Sequence, residues 1–205
     1  MESVSRGAAA GSAQSLATGT LVIVSGPSGV GKSTICKMLA ERMDAFLSIS
    51  ATTRPRRANE VDGQDYHFLS AEEFERRLEA GGFLEHARVY SGCCYGTPSR
   101  PVLDALAAGR TVILEIEIEG TIQVMRRFPD AISVFLLAPG TAEQKRRLTG
   151  RKRDSAEAIQ ERLSKAEAEV RRAQECGAYR HFVVNETVEQ AVHEIMATIR
   201  QKGKP

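Results

Sequence analysis

The residues that most clearly indicate chemistry form one continuous run, residues 26–33, with the letters GPSGVGKS. This run matches the pattern G-x-x-x-x-G-K-[ST] at every fixed position. In such a loop, glycines let backbone N–H groups turn inward around phosphate oxygens, Lys32 reaches the β- and γ-phosphates, and Ser33 is a ligand for Mg²⁺. The run therefore predicts a site for a nucleoside triphosphate. It leaves open whether the acceptor is water, a nucleotide, a sugar phosphate or no group at all.

Two groups of arginines offer further positive charge to an anion. Arg54, Arg56 and Arg57 form the first group, and the second occupies residues 146–153. Taken alone, the first group is also typical of a solvated basic turn or a nucleic-acid patch, and the second of a solvated helix end. Because the whole chain has a net charge of only +2, no nucleic-acid partner is expected.

The elements that would position these residues alternate between predicted strands and predicted helices. Thr20–Ser25 is a short apolar run that precedes the phosphate loop, and a helical pattern follows the loop. Similar apolar runs recur at 112–118, 133–138 and His181–Val184, with helical segments between them. This alternation predicts a mostly parallel sheet between layers of helices, the three-layer αβα architecture of P-loop NTPases.

Helix starts are indicated by hydroxyl residues three positions before a Glu or Gln. The pairs are Ser70 with Glu73, Thr141 with Gln144, and Thr187 with Gln190. Between residues 155 and 176, apolar positions repeat at spacings of three and four, and Gly177 ends the pattern. We expect a long helix there with a charged outer face.

Two segments do not follow this alternation of strands and helices. Residues 48–97 are interrupted by Gly, Pro, Asn, Asp and Tyr, which is typical of an inserted subdomain rather than another βα repeat. Residues 1–18 are small and polar and lack the apolar core of a signal peptide, so we interpret them as a disordered leader. Residues 19–205 are expected to form one domain of ordinary size.

The composition bears on the cellular compartment. No apolar run approaches the ~20 residues that a membrane-spanning helix needs, so no membrane association is expected. The four cysteines lack CxxC spacing and are too few for a disulfide framework. Together these points predict a soluble protein of the cytoplasm.

The inserted segment carries a specific order of residues. Its letters at 50–68 are SATTRPRRANEVDGQDYHF, and the later motifs are GFLE at 82–85, YGT at 95–97, EIEIEG at 115–120, RLTGR at 147–151 and VVN at 183–185. Taken together, these motifs resemble the guanylate kinase family in the family's own order. The resemblance implies transfer of a phosphoryl group from ATP to GMP, and also to dGMP, giving ADP and GDP with Mg²⁺ as the cofactor.

The resemblance also implies an acceptor site within a GMP-binding subdomain at about 48–97. The implied GMP-binding set is Ser50, Arg54, Arg57, Glu60, Tyr66, Glu85, Tyr95, Thr97 and Glu117. The arginines and tyrosines are assigned to the phosphate, and Ser50, Glu85, Thr97 and Glu117 to the guanine. A carboxylate such as Glu85 can accept two parallel hydrogen bonds from guanine N1–H and its 2-amino group, which adenine does not offer. An unpaired buried carboxylate is costly, so AMP would be rejected.

On the donor side the resemblance implies a mobile lid at about 141–155, with the core at 19–47, 98–140 and 156–205. The implied ATP-binding set is Gly26, Pro27, Ser28, Gly29, Val30, Gly31, Lys32, Ser33, Thr34, Arg147, Arg151 and Asn185, with Asn185 at the adenine. Catalytic charge is assigned to Lys32, Arg57, Arg151 and Arg162. Ser33, nucleotide phosphates and water would hold Mg²⁺.

Two other functional classes remain open. One is a guanylate-kinase-like binding module that holds a phosphorylated peptide without catalysis, and intact Lys32 and Ser33 argue against it. The other is a kinase of the same architecture that acts on a phosphorylated sugar, and the base-reading set argues against it. The chain departs from the family at Glu117, where many members have the shorter Asp.

Overall fold

The computed structural model describes residues 19–88, 92–149 and 156–202. Its strands and helices, in chain order, are β1 (Thr20–Ser25), α1 (Lys32–Met43), β2 (Phe46–Leu47), β3 (Ala51–Thr52), β4 (His67–Phe68), α2 (Ala71–Glu79), β5 (Phe83–Arg88), β6 (Cys94–Pro98), α3 (Ser99–Ala107), β7 (Thr111–Glu115), α4 (Ile118–Arg127), β8 (Ile132–Leu137), α5 (Thr141–Thr149), α6 (Ala156–Glu175), β9 (His181–Val184) and α7 (Val188–Lys202). Within these ranges no helix is both long enough and apolar enough to cross a membrane. The predicted leader at 1–18 and residues 150–155 of the predicted lid lie outside the described residues.

A parallel sheet of five strands, in the order β2-β7-β1-β8-β9, forms the centre of the molecule. Side chains alternate along β1: Val22 and Val24 pack with α1 and α7, whereas Leu21 and Ile23 pack with α3 and α4. Helices therefore cover both faces, since every second residue of a buried strand points to the opposite side. The predicted α/β class, with a parallel sheet between helical layers, is confirmed.

The second sheet lies within the segment predicted as an insertion. Its four strands are ordered β4-β3-β6-β5; β3 pairs in parallel with β4, and the other pairs are antiparallel. Phe74 and Phe83 stack in its small core with ring centroids 4.4 Å apart. β6 ends at Pro98 and α3 begins at Ser99, so this sheet joins the core layers without a linker. The bounds of the subdomain stay a prediction.

One strand is shorter than the sequence predicts. The apolar run at 112–118 is not a single strand, because β7 ends at Glu115 and α4 begins at Ile118. Glu117 has extended backbone angles and stands at the N-cap position of α4. Ile118, Thr121 and Val124 follow at helical spacing and are buried. Their burial as one helix face explains why the chain turns here instead of extending the strand.

Two of the three predicted helix caps are confirmed. Ser70 Oγ accepts from the backbone N–H of Glu73 at 3.2 Å, and Thr187 Oγ1 accepts from that of Gln190 at 3.2 Å. The third cap is wrong, because α5 starts at Thr141 itself and the N–H of Gln144 donates to the carbonyl oxygen of Gly140. The side chain of Gln144 makes a contact elsewhere, at the phosphate loop.

Candidate active site

The phosphate loop joins β1 to α1 through glycines with unusual backbone angles. Gly26, Gly29 and Gly31 have positive φ values of 150°, 81° and 102°. At Gly31 a Cβ would also lie 2.7 Å from Nδ2 of Asn185, so angle and space both require glycine. α1 begins at Lys32 with no side-chain cap and no acidic residue in its first turn. Its N-terminal N–H groups and helix dipole can therefore serve a bound anion.

A carboxylate lines one side of the cleft formed by the loop. Ser33 Oγ donates a hydrogen bond to Oε1 of Glu115 at 2.7 Å. Glu115 ends β7 and pairs in register with Val24, just before the loop. Glu115 is absent from the set predicted from the sequence. An acidic residue that ends a strand beside the loop-bearing strand is nevertheless a recognised signal, because such carboxylates help to hold Mg²⁺ in P-loop proteins.

Lys32 contacts residues of both predicted substrate sites. Its Nζ donates to the carbonyl oxygen of Gly26 and lies 3.5 Å from Oε1 of Glu117. The Lys32 side chain is 14% exposed, whereas that of Glu117 is 64% exposed. The carboxylate predicted to contact guanine is therefore paired with the lysine of the phosphate loop. Its contact with guanine stays a prediction.

Buried hydroxyl groups fix the turn that carries this carboxylate. Tyr179 Oη donates to Oγ1 of Thr121 at 3.0 Å, and Thr121 Oγ1 donates to the carbonyl oxygen of Glu117 at 3.1 Å. The hydroxyl of Ser25 donates to the carbonyl oxygen of Ile116. Burial raises the pKa of Tyr179 to about 12, so its hydroxyl remains a donor at neutral pH. Buried hydrogen bonds to its carbonyl oxygens thus fix the turn between β7 and α4.

Glu85 is the buried acid of the acceptor side. It is 6% exposed, and its Oε1 accepts a hydrogen bond from Oγ1 of Thr97 at 2.6 Å. A Cβ at Gly120 would overlap the other carboxylate oxygen, Oε2. Burial raises the pKa of the Glu85 carboxyl above its usual value. Gly120, whose lack of a side chain leaves room for Glu85, is absent from the predicted site.

The second sheet brings three of the predicted base-reading residues into one row. Glu85 pairs with Thr97, and Ala51 pairs with Gly96 in the neighbouring strand pair. Continuing that antiparallel register by one residue places Ser50 beside Thr97, because directly opposed residues share a face. Glu85 and Thr97 are therefore directly paired, and Ser50, which immediately precedes β3, is expected beside Thr97.

Arg54 is the centre of a polar and aromatic cluster at the other predicted part of the acceptor site. Its Nη2 donates to Oε1 of Glu60 at 2.7 Å, and its Nε donates to Oη of Tyr95 at 3.2 Å. The guanidinium carbon lies 5.6 Å from the ring centroid of Tyr66. Burial raises the pKa of Tyr66 to about 12. The structure thus brings together three of the residues predicted for the GMP phosphate.

Glu60 contacts the arginines that flank it. Its Oε2 accepts from the backbone N–H of Arg57 at 2.8 Å, and its Oε1 accepts from Arg54. The hydrogen bond from Arg54 holds the pKa of the Glu60 carboxyl below its usual value. The guanidinium of Arg57 is 64% exposed and lies 4.0 Å from Oε1 of Glu60. The membership of Glu60 in the GMP-binding set stays a prediction.

The donor-side residues are only partly described. Arg151 lies outside the described residues, as do the side chains of Arg147 in α5 and Arg162 in α6. Asn185 is 1% exposed, and its Nδ2 donates to the carbonyl oxygen of Val30 at 2.7 Å. Its predicted contact with adenine stays a prediction.

The site combines an anion-binding loop, an acid beside it and a guanidinium–tyrosine cluster in one α/β fold. A sequence model of the family described as guanylate kinase matches residues 18–202. The chain belongs to the guanylate kinase family. This membership confirms the resemblance that the sequence motifs indicate.

Proteins named guanylate kinase are similar to the chain over most of its length. The guanylate kinase of Thermus thermophilus is 47% identical over 181 residues, which cover 88% of this chain and 80% of that protein. The guanylate kinase of Synechocystis is 44% identical over 190 residues, which cover 92% and 97%. The crystal structure of guanylate kinase from Anaplasma phagocytophilum superposes with a TM-score of 0.74 at 30% identity, covering 93% of this chain and 89% of that one.

Proposed function

We propose that this protein is an ATP:GMP phosphotransferase that converts ATP and GMP into ADP and GDP. The observation that carries the proposal is the buried Glu85, held by Thr97 at 2.6 Å, in a fold that also contains an intact phosphate loop. Membership of the guanylate kinase family supports the same reaction. A buried carboxylate without a fixed cation is costly, and guanine offers the two donors that would satisfy it.

Guanine recognition rests on the accepting capacity of Glu85. Thr97 occupies Oε1, and the missing side chain at Gly120 leaves space at Oε2. Guanine N1–H and its 2-amino group would donate to this carboxylate, with Ser50 and Thr97 beside it and Glu117 as a further acceptor. Adenine presents an acceptor at N1, so AMP would bring two acceptors together and leave Glu85 unpaired.

The phosphate of GMP is proposed to bind at Arg54, Arg57, Tyr66 and Tyr95. Guanidinium groups give forked donors to phosphate oxygens, and phenolic hydroxyls add single donors. Glu60 is proposed to belong to the GMP-binding set through its hydrogen bonds with Arg54 and with the backbone N–H of Arg57, which orient that segment toward the phosphate. Because base and phosphate provide these contacts, dGMP is also proposed as an acceptor.

The phosphate loop is proposed to hold ATP. Backbone N–H groups of the loop and of the start of α1, within residues 28–34, and Nζ of Lys32 would bind its phosphates, with Pro27 lining the loop without an N–H of its own. The hydroxyl of Ser33 and the carboxylate of Glu115 provide hard oxygen atoms side by side, 2.7 Å apart, which fits Mg²⁺ bound jointly with nucleotide phosphates and water. When bound, Mg²⁺ neutralises charge on those phosphates.

Phosphoryl transfer by this site requires positioning and positive charge rather than a general base. An oxygen of the GMP phosphate is already an anionic nucleophile, and the two phosphates need only be held in line. Lys32 and Arg57 are proposed to neutralise the transferred group, together with Arg151 from the predicted lid and Arg162 from α6. Arg147 is proposed to bind the phosphates of ATP. Asn185 is proposed at the adenine. Closure around both substrates would exclude water and limit ATP hydrolysis.

The cytoplasm is the proposed compartment. The cysteines at 36, 93, 94 and 176 are all free thiols, as expected for a reducing environment.

The test is a coupled assay of ADP formation from ATP and Mg²⁺ with GMP, AMP, CMP, UMP or a phosphorylated sugar as acceptor. We expect turnover with GMP at least about 100-fold above that with the other acceptors. Lys32→Ala should lose it while remaining folded. A folded wild-type protein that binds GMP without turnover would favour a binding module, and turnover with a sugar phosphate would favour the other kinase class.

A further inference from the structure

Two buried side-chain amides contact the outer side of the phosphate loop. Gln144 Nε2 donates to the carbonyl oxygen of Ser28 at 3.2 Å, and Asn185 Nδ2 donates to that of Val30 at 2.7 Å. Gln144 is 8% exposed and Asn185 is 1% exposed. They come from separate elements, since Gln144 lies in the first turn of α5 and Asn185 follows β9. Burying an amide is costly unless it is hydrogen-bonded, so both contacts are part of how the loop is built.

The two carbonyl groups belong to peptide units that matter for anion binding. The carbonyl of Ser28 shares its peptide plane with the N–H of Gly29, and the carbonyl of Val30 shares its plane with the N–H of Gly31. An anion-binding loop needs its N–H groups to converge, so the carbonyl on the opposite side of each plane must point away. An amide that holds the carbonyl outward therefore holds the N–H inward.

Glycine makes this external support necessary. Gly29 and Gly31 have φ values of 81° and 102°, which glycine adopts without a steric penalty but does not enforce. Without a partner for the Ser28 carbonyl, that peptide plane could rotate and take the N–H of Gly29 out of the site. The donor from Gln144 restricts this rotation.

Gln144 also links the loop to α5. The backbone N–H of Gln144 closes the first turn of α5 on Gly140, while its side chain reaches the loop. Arg147, a residue of the predicted ATP-binding set, follows three positions later in the same helix. One hydrogen bond therefore fixes the start of the helix relative to the loop.

We propose that Gln144 is a positioning residue for phosphoryl transfer: it holds the Ser28–Gly29 peptide so that the amide of Gly29 faces the phosphates of ATP, and it sets α5 against the loop. Gln144 acts through these groups and touches no substrate atom. The inference rests on the proposed function, because it assigns the loop to ATP.

The test is the variant Gln144→Met, which keeps the length of the side chain and removes the donor. We expect the KM for ATP and the equilibrium dissociation constant for ATP to rise about five- to tenfold, the effect of one lost hydrogen bond. The KM for GMP should stay within about twofold, because the acceptor contacts are unchanged. A merely structural role would instead lower the urea unfolding midpoint and leave the affinity of the folded enzyme for ATP unchanged.

Two further variants sharpen the comparison. Gln144→Glu keeps the shape and polarity of the side chain but replaces the donor with an acceptor, so it should weaken ATP binding at least as much as Gln144→Met. Gln190→Met is the matched control, because Gln190 lies in the first turn of α7 and contacts Thr187 instead of the loop. It should leave the affinity for ATP unchanged.

The outcomes separate this inference from the proposed function. Folded Gln144→Met with wild-type affinity for ATP would overturn the positioning role, and so would an equal loss of affinity for ATP and GMP. A wild-type protein that binds ATP but does not phosphorylate GMP would refute the proposed function. The dissociation constants for ATP would still decide whether Gln144 supports the loop.

Discussion

Nζ of Lys32 and Oε1 of Glu117 lie 3.5 Å apart and form an ion pair between the phosphate loop and the turn before α4. Lys32 must face phosphates if ATP binds in the loop, and Glu117 is proposed to contact guanine. Each substrate would therefore take one member of the pair. We infer that the two substrate sites are energetically linked through this contact.

The variant Glu117→Gln tests that link. Removing the carboxylate should tighten ATP binding by about two- to threefold, because Lys32 no longer has to leave an ion pair whose carboxylate is 64% exposed, and a pair with an exposed partner is worth ~1 kcal/mol or less. The KM for GMP should rise up to about tenfold, because a neutral amide oxygen replaces the charged carboxylate as the acceptor for the base. Titration calorimetry with ATP and steady-state kinetics with GMP give the two values. Glu119→Gln is the control, because Glu119 pairs with Arg172 at 3.2 Å; an unchanged KM for GMP in Glu117→Gln would remove Glu117 from the base site.

The variant Arg54→Lys tests the phosphate cluster. Arg54 donates to both Glu60 and Tyr95, and lysine cannot reproduce that fork. We expect kcat/KM for GMP to fall about 100-fold, since a charged hydrogen bond contributes ~1.5–3 kcal/mol, while the KM for ATP stays constant. Arg56→Lys is the matched control, because Arg56 is exposed and, among the described residues, its guanidinium donates only to the carbonyl oxygen of Glu60. Equal losses in both variants would indicate a general charge effect.

The variant Gly120→Ala tests how the carboxylate of Glu85 is accommodated. The added methyl group would overlap Oε2, so Glu85 must move or the α4–β5 contact must open. We expect the KM for GMP to rise at least about tenfold and the free energy of unfolding to fall by ~1–3 kcal/mol, typical of overpacking. At Gly140 a Cβ would meet nothing within 4 Å, so Gly140→Ala should leave the KM for GMP unchanged. A wild-type KM for GMP in Gly120→Ala would contradict the proposed geometry.

Burial of Glu85 predicts a characteristic pH dependence of stability. Because burial raises the pKa of its carboxyl in the folded protein, the folded state binds the proton more tightly than the unfolded state does. The stability that this proton contributes is complete below the unfolded carboxyl pKa of about 4.3 and is lost as pH rises through the raised folded pKa. Glu85→Gln should remove this loss. The free energy of unfolding of the variant, relative to that of the wild type, should therefore increase from about pH 4.5 to about pH 8.

Urea denaturation at both pH values measures that increase, and Glu73→Gln provides a control of opposite sign. Hydrogen bonds from Arg77 and Arg76 hold the pKa of Glu73 below its usual value. Any stability that its carboxylate contributes is therefore present above the unfolded pKa and lost as pH falls. An advantage of Glu85→Gln that does not change with pH would show that Glu85 is not the buried titrating acid.

Local order along the chain determined what could be predicted from the sequence. The phosphate loop is contiguous in the sequence, and the strands β1 (Thr20–Ser25) and β9 (His181–Val184) are short apolar runs with clear bounds. The loop and both strands were therefore predictable from the sequence. Gly120 and Gln144 were not, because their roles depend on contacts with Glu85 and Ser28, residues distant in the chain. Glu115 has a general signal in its place at the end of an apolar run, but its contact with Ser33 also depends on the fold. Such roles arise only once β7, α4 and α5 are packed around the loop.

The run at 112–118 shows that alternation of apolar residues does not by itself locate the end of a strand. Apolar and acidic residues alternate from Leu114 to Ile118, a pattern that fits a strand. The buried positions of α4 begin at Ile118, which satisfies both the strand period and the helix period. The pattern therefore does not reveal that the chain turns after Glu115. The burial of one face of α4 and the hydroxyl contacts to the carbonyl oxygen of Glu117 together explain where the turn lies.

The measurement that tests the central claim most directly follows label from γ-³²P-ATP to acceptor in the presence of Mg²⁺, with GMP, IMP and AMP compared. IMP keeps the N1–H of guanine but lacks its 2-amino group. We predict labelled GDP as the main product, a lower kcat/KM for IMP, almost no transfer to AMP, and a much smaller preference for GMP over IMP in Glu85→Gln. Equal transfer to GMP and AMP, or label released only as inorganic phosphate, would contradict the account.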